Sequence, residues 1–134
     1  MIRSRRRFKN GKNHTNVRYA GVHLIADFWH GKIIEDEKQF ETLLWQAAKK
    51  ARSHPLQIAL HKFSPQGITG VLLLSESHIA IHTWPEIGYT AVDIFTCGKK
   101  SFPSRALKFL RKVLQPHEVM IREIRRGEAI ASIS

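Results

Sequence analysis

Residues 71–74 form an apolar run of strand character, and residues 78–84 alternate in period two. Only a short polar corner around Glu76-Ser77 separates them, so the middle of the chain is committed to a sheet. The corner also carries reactive groups. Ser77 offers a hydroxyl beside the Glu76 carbonyl and His82 follows a few residues on, which makes a weak nucleophile, an acceptor and a base. A serine at a strand corner ordinarily just satisfies its own turn, and a histidine on a strand ordinarily packs with a hydrogen-bond partner. The company these residues keep must decide between the two readings.

On either side the pattern continues. Residues 21–28 read as a first strand. Asp36 is placed to cap a helix running to about residue 52, in which Phe40, Leu43, Leu44, Ala47, Ala48 and Ala51 fall on one face. Pro55 breaks that helix pattern, residues 56–63 read as a strand, and Ser64-Pro65-Gln66-Gly67 is a turn by composition. Residues 68–74 and 79–84 flank the corner, and residues 91–96 form a further strand ending at Cys97-Gly98. Ser101 or Phe102 is expected to cap a second helix with Pro103 in its first turn. Ala106, Leu107, Leu110, Val113 and Leu114 give that helix its buried face, Pro116 stops it, and residues 119–124 close as a last strand.

The order β-α-β-β-β-β-α-β puts the chain in the α+β class. Two helices are too few to cover both faces of a six-stranded, mostly antiparallel sheet, so a two-layer sandwich with both helices on one face is expected. The other face would stay apolar and be buried most cheaply against a second copy, so a homodimer with sheets packing across the interface is expected.

At 134 residues the chain has room for one core. Its net charge is +11, of which residues 1–19 supply +7 through Arg3, Arg5, Arg6, Arg7, Lys9, Lys12 and Arg18 with no acid. That composition predicts a flexible basic N-terminal arm over 1–19, a domain over 20–127 and a C-terminal tail over 128–134. The arm reads as a solvated tail before it reads as a phosphate-binding element. No apolar h-region follows the arginines, and no apolar run approaches the ~20 residues of a membrane helix. With a single cysteine, Cys97, no intrachain disulfide can form, which fits a cytoplasmic location.

Three segments are expected to converge at one end of the sheet: residues 61–67, the Ser77/His82 corner, and Cys97. A serine hydrolase is disfavoured, since there is no G-x-S-x-G elbow and neither Glu76 nor Glu86 has an evident place orienting a histidine. A Cys97/His82 thiol hydrolase stays open. A metal site is not expected, because His78 and His82 would stand about 13 Å apart at ~3.3 Å per residue, too far to share an ion.

Glu76-Ser77-His78-Ile79-Ala80-Ile81-His82-Thr83-Trp84-Pro85-Glu86, preceded by His61-Lys62-Phe63-Ser64-Pro65-Gln66-Gly67 and followed by Val92-Asp93-Ile94-Phe95-Thr96-Cys97-Gly98, closely resembles the short prokaryotic S-adenosylmethionine decarboxylase proenzymes. Gly21-Val22-His23-Leu24 and Arg122-Glu123-Ile124-Arg125-Arg126-Gly127 extend the likeness over roughly 20–127. The resemblance implies a self-processing, pyruvoyl-dependent lyase acting in spermidine and other polyamine synthesis. Ser77 would attack the Glu76 carbonyl, and His82 would then accept the Cα proton of residue 77. The chain would part between 76 and 77, leaving a covalent pyruvoyl group derived from Ser77 that forms a Schiff base with the substrate amine. Cys97 matches the family's proton donor in catalysis. Thr69 stands where the family has a serine that assists processing, and it keeps the hydroxyl. The likeness implies that Phe63 stacks on the adenine of S-adenosylmethionine. Trp84 offers another π face, and Glu86 can hold the ribose hydroxyls. In the family the active sites lie at a dimer interface, and no metal is needed.

Two other readings compete. Relatives with the same processing machinery decarboxylate arginine or ornithine, and Ser77, His82 and Cys97 would look the same there. Phe63, Trp84 and Glu86 favour the adenosyl substrate. The basic first nineteen residues alone would suit a small RNA-binding protein, but that reading leaves residues 61–97 without a purpose.

Overall fold

The computed structural model of the chain describes residues 4–10, 13–97 and 100–130. Helix α1 (Glu37–Lys50) starts where Asp36 Oδ2 accepts the Gln39 N–H at 2.9 Å. Glu37 in its first turn and Lys49 and Lys50 in its last suit the helix dipole. Its buried face is Phe40, Leu43, Leu44, Ala47 and Ala48, the stripe read from the sequence. Helix α2 (Pro103–Leu114) buries Ala106, Leu107, Leu110 and Leu114, with Val113 packed at the edge of the core. Phe102 is its N-cap residue but makes no capping bond, since an aromatic ring has no acceptor to give. Ser101, the other expected cap, pairs its hydroxyl with that of Ser53 at 3.0 Å instead. Gln115 ends the helix in the left-handed conformation ahead of Pro116.

The strands of the main sheet are β3 (Gly21–Trp29), β4 (Pro55–Lys62), β5 (Ile68–Leu74), β6 (Ser77–Trp84), β7 (Tyr89–Thr96) and β8 (Glu118–Arg126). They lie in the order β4-β5-β6-β7-β3-β8, and each neighbouring pair is antiparallel. The expected α+β architecture of two helices against one six-stranded sheet is therefore the one observed. A 3₁₀ turn, Pro85–Ile87, joins β6 to β7.

Both helices cover one face. Alternation sends Leu24, Ala26, Phe28, Ile68, Leu72, Leu74, Ile79, Ile81, Val92 and Ile94 toward them as the core. Burying a side chain of this size stabilises by roughly 1.5–3 kcal/mol. Gly70 lets α1 approach the sheet closely, for a Cβ there would lie 2.5 Å from the Phe40 ring and 2.8 Å from Leu44. The intervening residues, among them His23, Ile25, Asp27, Val71, Leu73, His78, Ala80, His82, Trp84, Ala91, Asp93 and Phe95, line the opposite face, which no helix covers.

The N-terminal residues differ from the expected arm. β1 (Ser4–Asn10) and β2 (Asn13–Tyr19) pair antiparallel, and β9 (Ala129–Ile130) adds to β2 as a third strand. The sequence signal for this hairpin is Gly11-Lys12 between Asn10 and Asn13, a pair led by glycine and suited to a two-residue turn, which a reading based on charge passes over. Among the described residues no helix is long and apolar enough to cross a membrane.

Candidate active site

The β5–β6 hairpin pairs Leu74 with Ser77, so only Ser75 and Glu76 make the turn and Ser77 already opens β6. Ser77 carries φ 154°, a backbone conformation that residues with a Cβ rarely adopt and that costs about 1–3 kcal/mol. Contacts from two sides hold it there. From β7, the Cys97 N–H and the Cys97 thiol each donate to the Glu76 carbonyl oxygen at 3.0 Å. From the loop before β4, the His54 N–H reaches Glu76 Oε1 at 2.9 Å and His54 Nδ1 lies 2.7 Å from Oε2. The Ser75 hydroxyl also donates to Oε1, at 2.9 Å. Burial alone would raise the Glu76 pKa, but the His54 backbone and ring and the Ser75 hydroxyl outweigh it and hold the carboxyl below its ordinary 4.5.

The chemical content of this corner lies in the carbonyl. Two donors already meet the oxygen of the Glu76–Ser77 peptide, which is where negative charge would develop if Ser77 Oγ attacked the adjoining carbon. Preorganised donors of this kind each contribute about 2.7–4 kcal/mol to acyl transfer. Cys97 is a half-buried free thiol.

The other predicted residues sit elsewhere. Thr69 pairs with His82 across β5 and β6, and Thr69 Oγ1 lies 3.0 Å from His82 Nδ1. Trp84 stacks on Tyr89 with ring centroids 5.2 Å apart, and His82 lies 6.2 Å from Trp84. Beyond them, Gln66 Nε2 donates to Glu86 Oε2 at 3.3 Å, and Phe63 is exposed, edge-on to His61 at 4.6 Å. These side chains gather at the far end of β6. His82 is five residues from Ser77 on one strand, about 16 Å at ~3.3 Å per residue.

The expected convergence of three segments within one chain is thus corrected. Glu76, Ser77 and Cys97 meet at one end of the sheet, whereas Phe63, Thr69, His82, Trp84 and Glu86 meet at the other. Antiparallel pairing causes the split, because residues 61–67 adjoin the start of β5, and Ser77 faces its end.

A set of polar residues to which sequence reasoning gave no role lies on the open face beside Ser77. His23 Nε2 is 3.0 Å from Asp93 Oδ1, and the His23 ring is 6.3 Å from that of His78. Burial lowers the His78 pKa from its ordinary 6.5; His23 and Arg126 lower it further, against the opposing charge of Asp93. Tyr89 donates to Asp27 on the same face, and burial, with that bond and the nearby carboxylates, pushes its pKa up to about 12. The signal for these groups was period two: His23, His78, Tyr89 and Asp93 all occupy open-face positions. Nothing in the sequence marks His54 as the partner of Glu76. Among the described residues no three His, Cys, Asp or Glu side chains are grouped to hold a metal ion.

Comparison with known proteins adds an independent line. Residues 22–127 match the family described as S-adenosylmethionine decarboxylase. The S-adenosylmethionine decarboxylase proenzyme of Methanococcus maripaludis strain C7 is 41% identical over 113 residues, covering 83% of this chain and 93% of the relative. That of Moorella thermoacetica is 42% identical over 113 residues, 83% of this chain and 90% of the relative. The crystal structure of the adenosylmethionine decarboxylase from Aquifex aeolicus VF5 superposes with a TM-score of 0.79 at 34% identity, covering 87% of this chain and 98% of that one.

Proposed function

The chain belongs to the S-adenosylmethionine decarboxylase family, and from that premise we propose that it is a proenzyme that severs itself between Glu76 and Ser77 and then removes CO2 from S-adenosylmethionine. The product is the aminopropyl donor for polyamine synthesis. The observation that carries this reading is the Glu76 carbonyl, which accepts both the Cys97 N–H and the Cys97 thiol beside a strained Ser77. Attack by Ser77 Oγ puts charge on an oxygen that already has its donors. The resulting ester eliminates once a base removes the Ser77 Cα proton, expelling the Glu76 α-carboxylate and leaving dehydroalanine, whose hydrolysis releases ammonia and frees a new amino-terminal pyruvoyl group. When formed, that group supplies a carbonyl that takes up the substrate amine and accepts the electron pair left by the departing carboxylate.

The residues present fit such a group. Cys97 stays within reach of the position where Ser77 stood and can return a proton to the substrate Cα. His82 is the base for the Cα proton, oriented by the contact of its Nδ1 with Thr69 Oγ1; with Nδ1–H donating to that oxygen, Nε2 is the basic nitrogen. Since His82 stands about 16 Å away along its own strand, it must serve Ser77 of a second copy. A two-fold axis lying between two facing sheets and perpendicular to the strands overlays β6 on its partner in reverse. Ser77 of one protomer then meets the His82 end of the other. The small side chains of Ala80 and Ala91 near the centre of the face leave room for close approach. The same operation brings Phe63, Trp84 and Glu86 to the site, Phe63 and Trp84 for the adenine and sulfonium and Glu86 for the ribose hydroxyls. The active form in this reading is a homodimer of cleaved protomers, with 20–127 as the working domain, and its free thiol suits a cytoplasmic location.

The relatives are named for S-adenosylmethionine, which favours that substrate over arginine or ornithine. The basic hairpin precedes the matched residues, so an RNA-binding role gains nothing from the match. Intact mass spectrometry under denaturing conditions tests the proposal alongside CO2 release from S-adenosylmethionine. Active wild type should give two fragments parted between 76 and 77, and Ser77→Ala a single chain that releases no CO2. An uncut chain in active material overturns it.

A further inference from the structure

Self-cleavage at Ser77 needs a base to abstract a proton twice, and His82 accounts only for the second abstraction. The first, loss of the Ser77 hydroxyl proton as Oγ attacks, needs a base beside Oγ. Of the ring nitrogens described, the one in contact with Oγ is His78 Nδ1, at 3.5 Å. His78 and His23 flank Phe95 in register across β6, β7 and β3, on the same uncovered face. His23 in turn is anchored by Asp93 at 3.0 Å. We propose that His78 is the base for the first step of self-processing and that His23, fixed by Asp93 and edge-on to His78, is the positioning residue for its imidazole. This deepens the proposed function and rests on it.

The step balances on residues of the chain. As the bond from Oγ to the Glu76 carbonyl carbon forms, the hydroxyl proton passes to His78 Nδ1. The carbonyl oxygen becomes an oxyanion held by the Cys97 N–H and thiol. The His78 imidazolium then gives its proton to the Ser77 nitrogen as the carbon–nitrogen bond breaks, leaving an ester and a free amine. For this His78 must be unprotonated at neutral pH. The groups facing it are His23 from β3, Asp93 and Phe95 from β7 and Arg126 from β8. Burial, His23 and Arg126 favour the neutral ring, and Asp93 alone favours the charged one.

The experiment follows refolded proenzyme by denaturing mass spectrometry, with and without hydroxylamine, which cleaves an ester and spares an amide. Wild type, Ser77→Ala, His82→Ala, His78→Ala and His78→Gln are compared. His82→Ala should accumulate the ester and be cut by hydroxylamine. Both His78 variants should process about 100-fold more slowly or worse, a loss in the range of general-base catalysis, and stay resistant to hydroxylamine because the amide persists. Wild-type rates in a folded His78 variant, or accumulation of ester in it, overturn the proposal. If both His78 variants fail to fold, His23→Ala decides. Removing His23 should move the midpoint of the pH–rate profile for processing to higher pH, and an unmoved midpoint overturns the assignment. Cutting of Ser77→Ala would overturn the underlying function instead, so the two failures are distinguishable.

Discussion

Glu76 acts at the corner through two different groups. Its carbonyl takes the Cys97 donors, and its carboxylate is held by His54 and Ser75. The carboxyl pKa is depressed in the fold, so the bonds to the charged form stabilise the protein above the unfolded pKa and are lost as pH falls through the folded one. In a Ser77→Ala background, which keeps the chain whole, Glu76→Gln should therefore be less stable near neutral pH. The gap should narrow steadily below pH ~4.5 in urea melts. Because the His54 side chain is 78% exposed, solvent screening holds the contribution of its contact with Glu76 to about 1 kcal/mol or less. A gap that does not change with pH would show that the carboxylate is not what His54 holds. The sequence singled out Glu76, Ser77 and Cys97 by their resemblance to a family, but their contacts depend on Ser77 pairing with Thr96 across β6 and β7.

At the scale of elements, α1 was legible from end to end. Its apolar residues recur at helical spacing, and Asp36 sits where the first free N–H groups need an acceptor. Asp36→Ala should cost about 1 kcal/mol, seen as a lower urea midpoint with an unchanged slope. Strand ends were less legible. β6 begins at Ser77, β7 at Tyr89 and β8 runs to Arg126, each beyond its apolar run. In each case ladder hydrogen bonds extend past the residues that alternate, because pairing needs only backbone. The β1–β2 hairpin was missed for a related reason: its residues are charged and carry little hydrophobic pattern, and only Gly11 between Asn10 and Asn13 pointed to a turn.

For the whole molecule, the separation of His82 from Ser77 gives a test that no single-chain arrangement passes. Ser77→Ala and His82→Ala chains should each fail to be cut when alone. Mixed before folding in equal amounts, they should recover cleavage of the His82→Ala chain, up to about half of the His82→Ala chains, or about a quarter of all chains, if association is random. No recovery would place His82 in service of its own Ser77 or of neither. Leu73→Glu alters a residue 46% exposed in the single chain, so the protomer should still fold. The charge would meet the facing sheet, and the variant should run as a monomer by light scattering and stay uncut.

Period-two and period-3.6 patterns by themselves determined the order of the two helices and the six strands of the main sheet, the face each of their side chains takes and the existence of an uncovered sheet face. The motif around Ser77 determined the family. Tertiary structure alone decided which residues meet: Cys97 on the Glu76 carbonyl, His54 on its carboxylate, and His82 too far along β6 to reach Ser77. The reason is physical. Side-chain periodicity is a local property of each strand, whereas the register between strands is set by the pairing of distant segments, and catalysis depends on the register.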